Sequence, residues 1–490
     1  MTDKWGLSPF IAGALTVVAF APLGFYPLAF VTLAWLAHAW RDAPPKQCFW
    51  AGFAFGLGLF LAGVSWVYVS LHEFGDMPAA LAAFATLVLC AFLALFPAAA
   101  GWLQARIPAG DALRACLLIP AAWTLAEWLR SWVFTGFPWL SLGYAAIGWP
   151  LQGYAPIGGI FALSFITVAL AGLLWLLAAR RPRARYWLAL ALAIVAGGAA
   201  LRSVEWSSPA GGPLNVALLQ GNIEQSLKFN PARYARTLET YARLAEGAQA
   251  PLVIFPETAV PRFLDQVDRN YLRRLDLLAQ RNGGDVLLGV PTRNSTEEFF
   301  NSVITLGVSP IQVYHKVHLV PFGEFVPPGF AWTLRVVNIP MSDFSRGIAG
   351  QRLLAVAGQR IAVNICYEDA FGDEIAAQLP DATMLVNVSN VAWFGDSLAP
   401  GQHLQIARAR AIETARMHLT ATNTGITAVI DRDGTVRARL PQFEEGRLEA
   451  SAQGYAGATP YVRWRDGPVI IISLGVLVAC ALIARARRSR

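Results

Sequence analysis

The sequence predicts a membrane protein with about eight transmembrane α-helices and one α/β domain outside the cytoplasm. Three observations support this fold class. Hydrophobic residues make up 55% and charged residues only 14% of the 490-residue chain, and the mean hydropathy is +0.45, outside the usual range of soluble domains. Long apolar runs fill residues 7–201 and recur at 469–484. Between them, short strand-like runs alternate with amphipathic helical ones.

A helix needs about 20 apolar residues to cross a bilayer. We therefore predict seven spans before the α/β block and one after it, near Leu7–Ala21, Tyr26–Trp40, Phe49–Val69, Ala79–Leu103, Leu113–Val133, Leu151–Leu177, Tyr186–Leu201 and Val469–Ala484. The first two are short and could instead form a tight hairpin or a re-entrant pair. Either arrangement would leave the orientation of the later spans unchanged. The N-terminus lacks a clear cleavage pattern, so we expect it to be retained.

Arginine placement predicts the orientation. The loop Arg180–Arg185 and the tail Arg485–Arg490 are rich in arginine, and Arg41 and Lys46 mark a third basic loop. The positive-inside rule keeps all three in the cytoplasm. The α/β block then lies outside, which in a bacterium is the periplasmic face of the inner membrane. The pI of about 9.3 thus reflects topology, and nucleic-acid binding is the weaker interpretation.

The block between the spans has the alternation of an α/β layered domain. Seven runs are strand-like: Asn215–Asn222, Pro251–Glu257, Asp285–Thr292, Asn301–Gly307, Arg360–Glu368, Thr383–Asn390 and Ile426–Gly434. Three have helical periodicity: Pro231–Glu246, Leu264–Arg281 and Gly401–Met417. We place a helix bundle in residues 1–201, the α/β domain in 202–465, and a closing helix with a basic tail in 466–490.

Cysteine use singles out one thiol. Of the five cysteines, four lie in or beside predicted spans, and only Cys366 belongs to the α/β domain. Outside the cytoplasm a lone cysteine is either buried and inert or a reactive thiol. Cys366 follows the run RIAVNI and precedes an acidic stretch that could open a helix, where N–H groups and the helix dipole would stabilise a thiolate. Its position favours reactivity, although taken alone the two interpretations are evenly balanced.

Two further stretches place charged side chains near strand ends. FPETAVP puts Glu257 after an apolar strand, and VYHKVHLVPFGEFVP puts Lys316 among apolar residues. Taken separately, Glu257 would be a helix-capping carboxylate and Lys316 a lysine that snorkels to the surface. Together with Cys366 they predict a nucleophilic site, in which Glu257 takes the thiol proton and Lys316 stabilises the developing oxyanion.

The ordered motifs FPET, HKVHLVPFGE and CYED resemble those of the nitrilase, or carbon–nitrogen hydrolase, superfamily. Seven predicted spans before such a domain and one after it resemble the arrangement in one branch, the apolipoprotein N-acyltransferases. Several further stretches, distributed over most of the chain, are also similar to that branch: EWLRSWVFTGFPWLSLGYA (Glu127–Ala145), QGNIEQSLKF (Gln220–Phe229), SNVAWFGDS (Ser389–Ser397), QHLQIARARAIETAR and TNTGITAVI. The resemblance implies an αββα sandwich for the α/β domain and a Glu-Lys-Cys triad.

The resemblance also implies roles for individual residues. Glu257 would be the base, Lys316 the transition-state stabiliser and Cys366 the nucleophile. Glu324 would be a second glutamate after the lysine that supports the site, and Tyr367 and Glu368, directly after the nucleophile, would help to shape the pocket. Trp393 and Phe394 would form a mobile arm that touches lipid. A supporting role is also implied for Phe229, the aromatic residue after QSLK. The family often has tryptophan at this position, and phenylalanine there lacks the indole N–H.

No metal or nucleotide site is predicted. His315 and His318 are expected to face opposite sides of one strand, so a shared metal ion is disfavoured. The sequence contains no H-E-x-x-H, C-x-x-C or P-loop motif. We expect no cofactor, which the resemblance also implies.

The resemblance implies ping-pong acyl transfer from a phospholipid, usually phosphatidylethanolamine, through a Cys366 thioester to the α-amino group of a diacylated apolipoprotein. Expected partners are these two substrates and the lipid bilayer, without nucleic acid, and we expect a monomer. A membrane-tethered amidase or hydrolase that passes the acyl group to water would form the same thioester. The motif Phe134–Tyr144 and the arm with Trp393 favour the transferase. A transporter or receptor with an inactive nitrilase-like module is disfavoured because all three triad positions are intact.

Overall fold

The computed structural model describes residues 6–296, 298–326 and 343–488. The chain divides into two compact units. The first comprises the residues up to Tyr68, then Ala79–Val204 and Arg463 onwards, and the second comprises Val69–Pro78 and Glu205–Val462. The boundaries drawn from the sequence lie close to these. The inclusion of Val69–Pro78 in the second unit was not predicted.

The first unit is helical. Its principal helices are Leu7–Thr16, Pro27–Trp40, Pro45–Gly63, Ala79–Arg106, Ile119–Arg130, Ala155–Ala178, Ala184–Leu201 and Gly467–Arg488. Small residues let two of them approach closely. A Cβ added at Gly52 would lie 2.6 Å from the carbonyl oxygen of Pro97, and one added at Gly56 would lie 2.9 Å from the Cα of Ala94. This G-x-x-x-G spacing therefore permits helix packing that larger side chains would block.

Five helices in the described residues are long and apolar enough to cross a membrane: Ala79–Arg106, Asp111–Arg130, Pro150–Ala178, Ala184–Leu201 and Gly467–Ala486. The bent pair Pro45–Gly63 and Trp66–Phe74 raises this number to six if it counts as one span. The predicted span Phe49–Val69 is thus broken after Gly63. Leu7–Ala19 and Pro27–Trp40 are shorter apolar helices, as the sequence indicated for the first two runs. The total of about eight spans stays a prediction.

The second unit contains two six-stranded sheets within the described residues. The first has the order β12-β1-β2-β3-β4-β5 and the second β11-β10-β9-β8-β7-β6. The strands are β1 Ser208–Gln220, β2 Leu252–Ile254, β3 Asp285–Arg293, β4 Phe299–Gly307, β5 Val313–His315, β6 Leu354–Val356, β7 Gln359–Ile365, β8 Met384–Ser389, β9 His418–Thr422, β10 Ala428–Ile430, β11 Val436–Arg439 and β12 Gly446–Ala456. In each sheet three neighbouring strands are parallel, β1-β2-β3 and β7-β8-β9.

The two sheets pack face to face around one apolar core. This core includes Val216 and Leu218 of the first sheet and Val363, Ile365 and Leu419 of the second, all fully buried. On the outer face of the first sheet, helices Tyr234–Glu246 and Arg269–Arg281 bury a second apolar cluster. On the outer face of the second, helices Gly372–Ala376 and Ala399–Thr414 do the same. The predicted αββα sandwich is confirmed.

Each of the seven predicted strands overlaps an observed one, but five strands within the described residues were missed. The omitted strands are β5, β6, β9, β11 and β12. Among them, β9 is a fully buried strand that reads HLTAT, with three polar residues in five. Threonine and histidine on a strand with no exposed face escape a search for apolar runs or alternation.

Candidate active site

Glu257 follows the short parallel strand β2, and its side chain is buried with 7% of its surface exposed. The amide Nδ2 of Asn301 donates to Oε1 at 2.7 Å, and the backbone N–H of Asn390 donates to Oε2 at 2.8 Å. Burial alone would raise the pKa of Glu257, but the charges of Lys316 and Lys228 and these hydrogen bonds outweigh it and lower the pKa. Glu257 is therefore a buried carboxylate that can accept a proton.

Lys316 follows β5 and is 1% exposed. Its Nζ lies 2.8 Å from Oε2 of Glu324 and 3.5 Å from Oε1 of Glu257. Burial would lower the pKa of Lys316, but the two carboxylates, Glu324 first, outweigh that effect and raise the pKa well above its usual value. A buried lysine between two carboxylates stays an ammonium, so it supplies a fixed positive charge beside Glu257.

Cys366 follows β7 and has φ +54°, a left-handed conformation that is uncommon for residues other than glycine and often marks functional positions. Two side chains hold its carbonyl oxygen: Nδ2 of Asn387 donates at 3.2 Å, and Nε2 of His403 lies at 3.3 Å. These contacts fix the backbone from which the thiol projects.

The expected stabilisation of a thiolate by a helix is wrong. After Cys366 the chain forms only a five-residue 3₁₀ turn, Cys366–Ala370. Burial raises the pKa of the Cys366 thiol well above its usual value, and the charge of Glu257 raises it further, against Lys316 and the N–H of Asn390. The resting thiol is therefore protonated, and its use as a nucleophile requires a neighbouring base.

Glu368 connects the cysteine turn to the lysine segment. Its Oε2 accepts from the N–H of Ile365 at 2.7 Å, and its Oε1 accepts from the N–H groups of Val317 at 2.7 Å and His318 at 3.0 Å. The hydroxyl of Tyr314 donates to both oxygens. Burial raises the pKa of Glu368 to about 7, against these N–H donors and the charge of Lys316. Glu368 thus holds the peptide next to Lys316 against the strand end next to Cys366.

The remaining predicted residues lie around this centre. Tyr367 is buried, and its ring contacts Phe371 edge-on at 5.1 Å. Trp393 and Phe394 end the short 3₁₀ helix Val391–Phe394 and are half-buried, and Phe229 is half-buried after helix Gln225–Lys228. The structure therefore brings Glu324 into contact with Lys316, and Glu368 into contact with residues adjacent to Lys316 and Cys366. The roles of Tyr367, Trp393, Phe394 and Phe229 stay predictions.

Trp393 has partners that the sequence did not indicate. Its ring meets that of Phe74 edge-on at 6.2 Å, and the hydroxyl of Ser70 donates to its carbonyl oxygen at 2.7 Å. Both partners belong to Val69–Pro78, the segment that joins the second unit.

The reason given for excluding a metal between the two histidines is wrong, because only His315 belongs to β5. Its Nδ1 lies 2.8 Å from the hydroxyl of Ser302, whereas Nδ1 of His318 lies 2.8 Å from Glu374. The described residues contain no group of three or more histidine, cysteine, aspartate or glutamate side chains placed to hold a metal ion.

Three residues of the site were missed: Asn301, Asn390 and Lys228. Asn301 and Asn390 lie on or after strands, and nothing local distinguishes them from ordinary buried amides. Lys228 carried a signal. The chain contains only four lysines, and residues 202–465 contain two, Lys228 and Lys316. In a domain that otherwise uses arginine for its positive charges, both lysines are buried at the site.

Comparison with known proteins agrees with both units. Residues 12–173 match the family described as apolipoprotein N-acyltransferase N-terminal domain, and residues 215–461 match carbon–nitrogen hydrolase. The chain is 46% identical to the apolipoprotein N-acyltransferase of Nitrosomonas europaea over 99% of this chain and 98% of that one. It is 45% identical to that of Ralstonia nicotianae, over 98% and 93% of the two chains. Among solved structures, the NitFhit protein of C. elegans aligns with 54% of this chain and 65% of its own at 18% identity and a TM-score of 0.41.

Proposed function

Because the chain belongs to the apolipoprotein N-acyltransferase family, we propose that it moves a fatty acyl chain from a phospholipid to the N-terminal α-amino group of a diacylated apolipoprotein. The observation that carries the proposal is the buried charge pair of Glu257 and Lys316, 3.5 Å apart, in the same site as a protonated cysteine. We assign Glu257 as general base, Lys316 as oxyanion stabiliser and Cys366 as nucleophile.

The first half-reaction forms a thioester. Glu257 takes the proton of the Cys366 thiol as Sγ attacks the ester carbonyl of the phospholipid. The carbonyl carbon–oxygen bond to the glycerol then breaks, and the leaving alkoxide receives the proton from Glu257 to give a lysophospholipid. The lowered pKa of Glu257 and the raised pKa of Cys366 make this proton transfer uphill at rest, so the attack and the transfer must be concerted or nearly so.

Lys316 offsets part of that cost. As sulfur attacks, negative charge moves from the thiol onto the carbonyl oxygen of the substrate, and a preformed ammonium in a site shielded from water stabilises that charge. Glu324 holds Lys316 at 2.8 Å and Asn301 holds both carboxylates, so the charge does not have to reorganise during the reaction.

The second half-reaction consumes the thioester. The α-amino group attacks the thioester carbonyl, and the carbon–sulfur bond breaks. An α-ammonium with a pKa near ~8 is partly neutral at physiological pH. Glu257 then takes one proton from the attacking nitrogen and returns it to the sulfur. The same oxyanion site serves both steps, which favours a ping-pong sequence.

The acceptor distinguishes this function from the alternative, a hydrolase that passes the acyl group to water. The test is to incubate the purified protein with phosphatidylethanolamine, the donor we propose, with and without a diacylated lipopeptide. We expect a hydroxylamine-sensitive acyl group on Cys366 with phospholipid alone, and triacylated peptide after the peptide is added. Free fatty acid formed at equal rates in both samples, without triacylated peptide, would identify a hydrolase.

Variants separate the assigned roles. Cys366→Ala should abolish the adduct and all turnover, whereas Cys116→Ala, a control outside the α/β domain, should leave both unchanged. Glu257→Gln should slow acyl-enzyme formation severely. Lys316→Ala should slow both half-reactions by about 10²–10³-fold, the usual cost of losing an oxyanion donor. An acyl adduct that persists in Cys366→Ala would contradict the assignment of the nucleophile.

We further propose that the α/β domain faces the periplasm of a bacterial inner membrane and that the enzyme acts as a monomer. The arginines of Arg180–Arg185 and Arg485–Arg490 support this orientation through the positive-inside rule. A phosphatase reporter fused near Gly211 should be active, and one fused after Arg490 inactive. The reverse pattern would overturn the topology, and light scattering of the detergent-solubilised protein tests the oligomeric state.

A further inference from the structure

Lys228 is a buried cation that the proposed mechanism does not use. It is 3% exposed, and its Nζ donates to the backbone carbonyl oxygen of Glu257 at 3.1 Å. This is its one hydrogen-bond acceptor among the residues that the structure describes. An ammonium carries three N–H donors, so a single acceptor is fewer than a purely structural lysine would be expected to have. Burying a charge that is this incompletely paired is also costly in free energy.

The short helix that carries Lys228 is linked to Glu257 from both of its ends, once directly and once through Asn390. At the first end, Oε1 of Gln225 accepts from Nδ2 of Asn390 at 2.8 Å, and the backbone N–H of that asparagine donates to Oε2 of Glu257 at 2.8 Å. At the last end, Lys228 reaches the carbonyl oxygen of Glu257. The helix Gln225–Lys228 therefore holds the backbone of Glu257 directly and its carboxylate through Asn390.

The choice of lysine also bears on its role. The chain uses lysine at four positions, and arginine supplies its other side-chain cations. Lysine differs from arginine because it is a compact point charge whose pKa shifts readily on burial. Burial lowers the pKa of Lys228 to about 8, against the charges of Glu257 and Cys366. Near neutral pH it still carries most of a positive charge.

We propose that Lys228 is a positioning residue whose charge keeps Glu257 ionised and ready to accept the thiol proton. The inference rests on the proposed function, since it assigns Lys228 a part in the same acyl transfer. Two cations then balance two carboxylates in the site. The titratable groups that face this pair, from the strand ends and the helix Ala399–Thr414, are Lys316, Glu324, Cys366 and His403.

Two substitutions separate charge from hydrogen bonding. Lys228→Gln keeps a donor for the carbonyl oxygen of Glu257 but removes the charge, and Lys228→Met removes both. Removing a nearby opposite charge raises the pKa of a carboxylate by about one unit or more. The pH at which the rate of acyl-enzyme formation falls, as Glu257 becomes protonated, should therefore be higher by about one pH unit in both variants. Above that pH the rate should return to the wild-type value. Lys46→Met, the same change at an exposed lysine, is the control and should leave the profile unchanged.

A second measurement does not depend on acyl transfer. Alkylation of Cys366 by iodoacetamide, followed by mass spectrometry of its peptide, reports the thiolate fraction. Without the charge of Lys228 the pKa of the thiol rises, so alkylation at about pH 7, where Lys228 is still mostly charged in the wild type, should slow by about tenfold for each unit of pKa. Lys46→Met should react like the wild type.

The outcomes distinguish the two proposals. A wild-type protein that forms no acyl-enzyme would refute the proposed function. The role of Lys228 would be overturned if the wild type forms the acyl-enzyme and Lys228→Gln has the same pH profile of acylation and the same alkylation rate as the wild type. In that second case a loss seen only in Lys228→Met, with a lower melting temperature, would identify Lys228 as a structural anchor. Lys228→Gln decides the question if Lys228→Met does not fold.

Discussion

The amide Nδ2 of Asn301 lies 2.7 Å from Oε1 of Glu257, and the same nitrogen lies 2.8 Å from Oε1 of Glu324. One side chain thus joins the carboxylate we assign as the base to the carboxylate that holds Lys316. The backbone of Asn301 contributes as well, because its carbonyl oxygen accepts from the N–H of Lys316 at 2.8 Å. Asn301 sets the spacing of the charged groups from strand β4.

Asn301→Ala should slow acyl-enzyme formation by about ten- to hundredfold, because hydrogen bonds to charged groups contribute about 1.5–3 kcal/mol. The measurement is single-turnover acylation of Cys366 by phospholipid. Asn294→Ala is a control, since that exposed asparagine pairs with Glu298 away from the site. Equal rates for Asn301→Ala and the wild type would show that the bridging amide does not contribute to acylation.

Glu368→Gln should lower both activity and stability. A glutamine has one acceptor oxygen, whereas Glu368 uses two to bind the N–H groups of Ile365, Val317 and His318. At least one buried N–H would lose its partner, at a cost of about 1–3 kcal/mol. We expect a lower melting temperature and a slower acylation step. Glu374→Gln, at an exposed carboxylate that contacts His318, is the comparison, and a larger loss there would contradict this role for Glu368.

Gly289→Ala should disturb Glu257 without touching any charged group. A Cβ at Gly289 would lie 2.2 Å from the carbonyl oxygen of Pro256 and 2.9 Å from the Cα of Glu257, so the backbone must move. Overpacking of this kind costs about 1–3 kcal/mol, and we expect slower acylation. Gly212→Ala is the matched control, because a Cβ there meets no atom within 4 Å. Wild-type kinetics in Gly289→Ala would mean that the turn at Glu257 tolerates displacement.

Replacing Trp393 and Phe394 together by alanine tests the prediction that they form a mobile arm that touches lipid. Activity on micellar phospholipid should fall, while acylation by a water-soluble short-chain ester should change little. The alternative is that the two aromatic side chains pack within the domain, and the contact of Trp393 with Phe74 is of this kind. Deleting buried aromatic residues typically costs about 3–5 kcal/mol. A large fall in melting temperature would therefore support packing over lipid contact.

Glu257 should stay ionised, and so able to act as the base, on the acidic side of neutrality. The base must be ionised to accept the thiol proton, and the pKa of Glu257 is held below its ordinary value by Lys316 and Lys228 despite burial. Glutamate ordinarily titrates near about 4.3, so ionisation of Glu257 should not limit the single-turnover rate between about pH 7 and about pH 5. A midpoint near neutrality that persists in Glu368→Gln would mean that burial, and not the two cations, controls Glu257. A midpoint that disappears in Glu368→Gln would report Glu368, whose pKa burial raises to about 7.

Local chemistry in the sequence determined the general architecture and the charged centre. The apolar runs predict membrane helices because only a closed hydrogen-bonded backbone survives in lipid. The strand-like runs that end at Glu257 and Cys366 predict where those side chains emerge, since successive side chains of a strand alternate in direction. Cys366, Glu257 and Lys316 could be grouped for this reason from the sequence alone.

Tertiary structure decided what those residues experience. Whether the thiol is ionised depends on burial and on charges distant in sequence, and these act against the local expectation of a stabilised thiolate at Cys366. The amide of Asn301 and the ammonium of Lys228 reach the site from separate elements, and their contacts exist only once the chain has folded. Sequence patterns report periodicity within one element, whereas the electrostatics of a buried site sum over all the elements that surround it.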